Sequence, residues 1–190
     1  MGRNKKIKKL KTKKHCEEML FAGFGGQGIM FMGKLLAQAG LLAGKYVTWM
    51  PSYGAEVRGG TAYSMTKVSD QEIANAIVTN PDILVVMNRP SLLKYEPRLR
   101  EGGILISNKS LIGDVVKKKG VITINIPMTE IASKLGNTRC ANMIALGVLA
   151  KRSKMISLRN TMRALKDVLK NKEELFLVNK KALEKGYKAG

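Results

Sequence analysis

Cysteine is nearly missing from this chain, since Cys16 and Cys140 are its only two. Thiols so far apart give no C-x-x-C spacing and cannot ligate an iron–sulfur cluster on their own. They also build no disulfide framework, which suits a reducing cytoplasm. The single histidine, His15, borders a lysine-rich start and reads as a surface group rather than a catalytic one. Aromatic residues make up 5%, little for stacking the bases of a nucleic acid. No stretch reaches the ~20 apolar residues of a membrane span. Acidic residues are also scarce, 14 against 34 Lys and Arg, so the net charge is +20.

That charge is not evenly spread. Residues 1–14 hold eight basic side chains and no acid, and residues 151–190 hold twelve basic and four acidic ones, which leaves the centre close to balanced. A nucleic-acid reader concentrates basic groups around its ligand, whereas here they flank a nearly neutral body. The block from Arg3 to Lys14 repels itself and reads as a solvated arm or as a docking segment for an acidic partner. The basic start, the uncharged residues 19–33 and Ala37-Gln38-Ala39 imitate a secretion signal. Glu17 and Glu18 before the run, the glycines inside it and Lys34 beside the supposed cleavage site argue against one. The expected location is the cytoplasm.

The 190 residues fit one domain, read here as 15–190 behind the 1–14 arm. Strands are expected at 19–22, 46–50, 61–68, 83–87, 104–107 and 121–126, with helices at 27–44, 91–99, 129–135, 139–150, 158–169 and 173–185. Gly33, Ala37, Gly40 and Gly44 form a small-residue stripe that lets the first helix lie close to a sheet. The first strand, helix and second strand make a βαβ unit, and residues 51–60 a polar loop. Strands alternating with helices predict an α/β, Rossmann-like fold: a mostly parallel sheet covered on both faces, with a helical C-terminal segment.

Gly23-Phe24-Gly25-Gly26-Gln27-Gly28 satisfies G-x-G-x-x-G where a strand turns into a helix. Glycines permit positive φ and let a phosphate approach the backbone, and the helix N-terminus offers free N–H groups. A tight turn with no ligand is the alternative. A dinucleotide site would need an acid about 20 residues on to hold the ribose. Tyr46-Val47-Thr48-Trp49-Met50-Pro51 has none, which fits better a phosphate ligand without a free ribose diol, such as coenzyme A with its 3′-phosphate. In the following loop, Ser52, Tyr53, Glu56, Arg58 and Gly59 gather a hydroxyl, an acid and an arginine at a strand's C-terminal end, where open α/β sheets bind ligands. Glu56 and Arg58 either pair to fix that loop or touch a ligand.

Four segments in order carry a resemblance: Gly25-Gly26-Gln27-Gly28, Ser52-Tyr53-Gly54-x-Glu56-x-Arg58-Gly59-Gly60-Thr61-Ala62, Asn88-Arg89-Pro90-Ser91, and Asn137-Thr138-Arg139-Cys140-Ala141-Asn142-Met143-x-Ala145-Leu146-Gly147. Together they resemble the gamma subunit of 2-oxoacid:ferredoxin oxidoreductases, and the Ser-Tyr-Gly loop is similar to that of the 2-oxoglutarate branch. Ala55 and Val57 stand where that branch commonly has Pro and Met, and Asn75-Ala76 where it tends to have Ser-Pro, which loosens the substrate assignment. Pyruvate, branched-chain and aryl 2-oxoacids stay open. The resemblance implies a complex with alpha, beta and, where one exists, delta subunits that decarboxylates a 2-oxoacid on thiamine diphosphate and Mg²⁺. Electrons pass through iron–sulfur clusters to ferredoxin, and an acyl-CoA leaves. This chain lacks both the Gly-Asp-Gly…Asn pattern and the cluster cysteines, so those cofactors are expected on partner subunits. It is expected to hold no metal and no catalytic residue. Gly23, Gly25, Gly26, Gln27, Gly28, Ser52, Tyr53, Glu56, Arg58, Gly59, Asn88 and Asn142 are its candidate CoA-site residues. A stand-alone nucleotide-binding protein and a basic nucleic-acid-binding protein are the alternatives of other classes.

Overall fold

A computed structural model describes residues 16–52, 61–115 and 119–190. The basic arm, His15, and the loop residues Tyr53, Glu56, Arg58 and Gly59 lie outside them.

Strand β1 (Cys16–Phe24) is central. It pairs parallel with β4 (Ile83–Val86) and antiparallel with β3 (Thr61–Ser69). Adding β2 (Tyr46–Ser52), β5 (Ile104–Asn108) and β6 (Ile122–Ile126) gives a six-stranded sheet in the order β2-β3-β1-β4-β5-β6. Only β3 runs against the rest. The sheet is therefore mostly parallel, as expected. One expectation needs correcting: β2 does not lie beside β1, because β3 inserts between them. The residues carry the reason. Strand β2 is alternately half-buried and exposed and contains Pro51, which lacks an N–H and suits a sheet edge.

The sheet sorts its side chains by the twofold period of a strand. Met19, Phe21, Ile83 and Val85 face one layer, made by α1 (Ile29–Leu42), α4 (Met128–Lys134), α5 (Ala141–Arg152), α6 (Leu158–Val168) and α7 (Glu173–Ala189). Leu20, Ala22, Leu84 and Val86 face the other, made by α2 (Arg89–Tyr95) and α3 (Lys109–Ile112). Both faces are covered.

Several element ends differ from expectation, three of them for reasons the residues show. Helix α2 stops at Tyr95 and gives way to a 3₁₀ turn, Glu96–Arg98, because Pro97 cannot donate to the helix ladder. Helix α1 ends before Gly44, whose φ of 70° leaves the right-handed region. Strand β1 starts three residues before the expected Met19. The Glu17 carboxylate there is buried and accepts from Ser153 Oγ and from the Lys154 N–H at 2.7 Å, while Lys67 reaches Glu18 at 3.2 Å. These partners come from remote segments, so no local pattern announces the extension. Helix α3 was not anticipated, since four residues are too short to show a period.

The small-residue stripe does what its spacing suggests at two positions. A Cβ on Gly33 would meet Trp49 Nε1 at 2.7 Å, and one on Gly40 would meet Val47 Cγ2 at 2.7 Å. Trp49 in turn donates to Ser64 Oγ at 2.8 Å beneath the helix.

Candidate functional site

The glycine segment forms the turn from β1 into α1, at the C-terminal edge of the parallel strands. Here the chain order reverses: α1 leads away to β2 on one side, and β4 lies on the other. Such a crevice is where open α/β sheets bind ligands.

Each residue of the turn has a separate task. Gly23 is buried, and a Cβ there would meet Gln27 Oε1 at 2.6 Å and Ile29 Cδ1 at 2.7 Å. Gly26 has φ of 90°, and Gly28, the N-cap of α1, has φ of 74°. A side chain on Gly28 would also collide with the Asn142 amide. Gly25 and Gly26 are exposed, with open space where a Cβ would stand. Without a side chain at the N-cap, nothing on that residue covers the free N–H groups of the first turn of α1.

Gln27 braces the turn. Its Oε1 accepts from the Phe24 N–H at 2.7 Å and from Asn88 Nδ2 at 3.4 Å, and its Nε2 donates to Met87 O at 3.4 Å. One amide thus ties β1 to the end of β4. Asn88 also caps α2, accepting from the Ser91 N–H at 2.8 Å. Gln27 and Asn88 therefore shape the turn from behind, while Gly25 and Gly26 present its outer surface. Asn142 is buried in the first turn of α5, and its Oδ1 has no hydrogen-bond partner among the described residues.

A cavity of about 230 Å³ opens beside the turn. Gly26 and Gln27 line it with Met87, Thr129 of α4, and Thr138 and Arg139 from the 3₁₀ turn Thr138–Cys140 ahead of α5. The sequence reading did not single out Thr129, Thr138 or Arg139 as site residues, because only the fold carries α4 and α5 back to the glycine turn. Ser52 ends β2 opposite Tyr63, and Thr61 pairs with Phe24, so both anchors of the Ser-Tyr-Gly loop sit at this same edge. A second cavity, of about 390 Å³, is lined by Cys16, Asp82, Arg100 and Lys154 at the opposite edge of the sheet, away from the glycine turn.

Cys16 and Cys140 thus sit at opposite edges. Burial pushes the Cys140 thiol up, and burial followed by the Glu18 carboxylate does so for Cys16, which keeps both protonated near neutrality. Among the described residues, no group of three or more His, Cys, Asp or Glu side chains converges to hold a metal ion. The Mg²⁺ and clusters that the resemblance implies therefore find no fitting donor set on those residues.

The fold and this turn define a Rossmann-like α/β domain with its crevice beside β1. Residues 18–189 match the pyruvate ferredoxin/flavodoxin oxidoreductase family, and the chain belongs to that family. It is 37% identical over 158 residues to the 2-oxoglutarate synthase subunit KorC of Methanothermobacter marburgensis, covering 80% of this chain and 85% of that one. It is equally identical, 37% over 166 residues, to the ketoisovalerate oxidoreductase subunit VorA of the same organism, covering 87% of this chain. There it spans only 34% of the relative's length. Among solved structures, the gamma subunit of a keto/oxoacid ferredoxin oxidoreductase from Geobacter sulfurreducens superposes with a TM-score of 0.79 at 27% identity, covering 91% of this chain and 97% of that one. The 2-oxoglutarate:ferredoxin oxidoreductase of Magnetococcus marinus, with 2-oxoglutarate, coenzyme A and succinyl-CoA bound, superposes with a TM-score of 0.84 at 26% identity, over 93% of this chain and 31% of that one. Among the described residues, no helix is long and apolar enough to cross a membrane.

Proposed function

We propose that this chain is the gamma subunit of a 2-oxoglutarate:ferredoxin oxidoreductase and that its glycine turn holds a phosphate of coenzyme A. The whole complex oxidatively decarboxylates the 2-oxoacid, transfers the acyl group to CoA and passes the electrons one at a time to ferredoxin. Thiamine diphosphate, Mg²⁺ and the iron–sulfur clusters would be held by alpha, beta and, where one exists, delta subunits, and thiamine would supply the electron sink for decarboxylation there. The part left to this chain is to bind and orient. Gly25 and Gly26 offer unobstructed backbone to a phosphate, the uncapped N-terminus of α1 favours its negative charge, and Gln27 keeps the turn rigid.

The observation that carries the reading is the open backbone at Gly25 and Gly26 within a chain that matches KorC over 85% of KorC's length. The Ser-Tyr-Gly loop, similar to that of the 2-oxoglutarate branch, supports 2-oxoglutarate, while the equal identity to VorA supports a branched-chain 2-oxoacid. Ketoisovalerate is the second reading.

The test is an assay of the chain alone and of the complex rebuilt with its partners, using 2-oxoglutarate, pyruvate and 2-oxoisovalerate with CoA and a viologen acceptor. The isolated chain should show no turnover, and the complex should have its highest kcat/KM with 2-oxoglutarate. Turnover by the chain alone would refute the subunit reading. A preference for 2-oxoisovalerate would move the substrate to the branched-chain class.

A further inference from the structure

Among the described residues, a single charged side chain lines the cavity at the glycine turn, and the role proposed above leaves it unused. Arg139 lies in the 3₁₀ turn ahead of α5, where its backbone N–H donates to Asn137 Oδ1 at 3.0 Å. Its guanidinium is exposed and, among the described residues, enters no ion pair or hydrogen bond. Gly26 also lines the cavity, with open space at its Cβ position, and Gly25 precedes it in the turn. Thr129 contributes a hydroxyl that already accepts from Asn108 Nδ2 at 2.8 Å, so its own proton is free to donate. Among the described residues, no carboxylate lines the cavity. An open backbone turn, hydroxyls and one cation, with no opposing acid among the described residues, make a receptor for an oxyanion. At about 230 Å³ the cavity is below the usual size for a whole cofactor, so it takes one group rather than a nucleotide.

We infer that Arg139 and the backbone of Gly25 and Gly26 form a two-sided phosphoryl subsite, with the guanidinium fork gripping two oxygens of one phosphate group of coenzyme A. The inference rests on the proposed CoA role and adds to it the cation and the second wall of the site. A fork fits two oxygens of one phosphate, whereas an ammonium is a single point of charge. Arg139→Lys should therefore recover only part of the binding.

The experiment uses the assembled complex carrying Arg139→Gln or Arg139→Lys. CoA, dephospho-CoA and phosphate-free pantetheine are titrated by calorimetry, and steady-state kinetics are measured alongside. Arg139→Gln should weaken CoA about tenfold or more, the usual size of a charge-assisted hydrogen bond. The KM for the oxoacid and the weak affinity for pantetheine should not move. Weakening confined to CoA places the ribose 3′-phosphate in the subsite. Equal weakening of dephospho-CoA places the diphosphate there, and either result supports the inference. An unchanged CoA affinity overturns it, as does an equal loss for pantetheine. If both variants block assembly, Arg139 belongs to a subunit contact and the inference falls. Gly26→Val separates the two layers: if it weakens CoA while Arg139→Gln does not, the CoA role stands without Arg139. If neither changes CoA binding, both readings fail.

Discussion

Gly26→Val in the assembled complex is expected to raise the KM for CoA about tenfold or more while the KM for the 2-oxoacid holds. The residue sits at φ of 90°, a conformation that a β-branched side chain resists, and the new side chain would project where the turn is open. Two effects are therefore mixed, backbone strain of about 1–2 kcal/mol and a steric block to the phosphate. Gly25→Ala separates them. Position 25 lies outside the positive-φ glycines and has nothing within 4 Å of an added Cβ, so the fold should accept the methyl group. Weaker CoA binding in a Gly25→Ala complex of unchanged melting temperature would isolate the steric term. If CoA dependence is the same in both variants and the parent, the turn is structural only and the CoA role is withdrawn.

Gly147→Val should destabilise the fold strongly. Helices α5 and α7 meet where an added Cβ on Gly147 would strike the Leu183 carbonyl and come within 2.6 Å of the Tyr187 amide nitrogen. Gly186 answers from the other side, where a Cβ would strike the Ile144 carbonyl and lie 2.7 Å from its carbon. These neighbours are backbone, so no side chain can rotate away and the helices must separate. Overpacking of this kind costs about 3 kcal/mol. For a domain of this size that lowers Tm by roughly 10 °C. Helix α5 is buried from Ala141 to Ala150 and carries Asn142 against Gly28, so the damage should reach the glycine turn as weaker CoA binding. A melting temperature within a degree or so of the parent would show that α5 and α7 pack less tightly than described. Thermal denaturation followed by circular dichroism decides it.

Most of the sheet was legible because its strands advertise themselves in two ways. Ile83 to Val86 is a continuous apolar run and became a strand buried on both faces, while Ala62, Ser64, Thr66 and Val68 alternate and became the one antiparallel strand of the interior. Neighbours in the sheet were not legible in the same way. The first strand–helix–second strand order suggested an adjacent pair, yet nothing local to β1 and β2 says that β3 will lie between them. The glycine turn was visible as a motif, and its positive φ values at Gly26 and Gly28 follow from it. What the motif hid was the division of labour. Gln27 and Asn88, read from the motif as ligand contacts, also brace the turn through hydrogen bonds across about 60 residues of chain. Arg139 stood inside a quoted motif without a task until α5 brought it to the cavity. The contact of Gly147 with Gly186 was missed because each glycine, read alone, is only a weak spot in its helix.

The charge at the C-terminal end stays outside the site. Exposed lysines along α7, such as Lys181, Lys185 and Lys188, do not line the cavity at the glycine turn. They do not on their own separate a subunit from a nucleic-acid-binding protein. Native mass spectrometry of the tagged chain, pulled from its source cell under low salt, tests the central claim most directly. The account predicts that the chain emerges bound to larger subunits carrying thiamine diphosphate and iron–sulfur clusters, in a fixed ratio. Recovery of the chain by itself, or with nucleic acid and no such subunits, would contradict it.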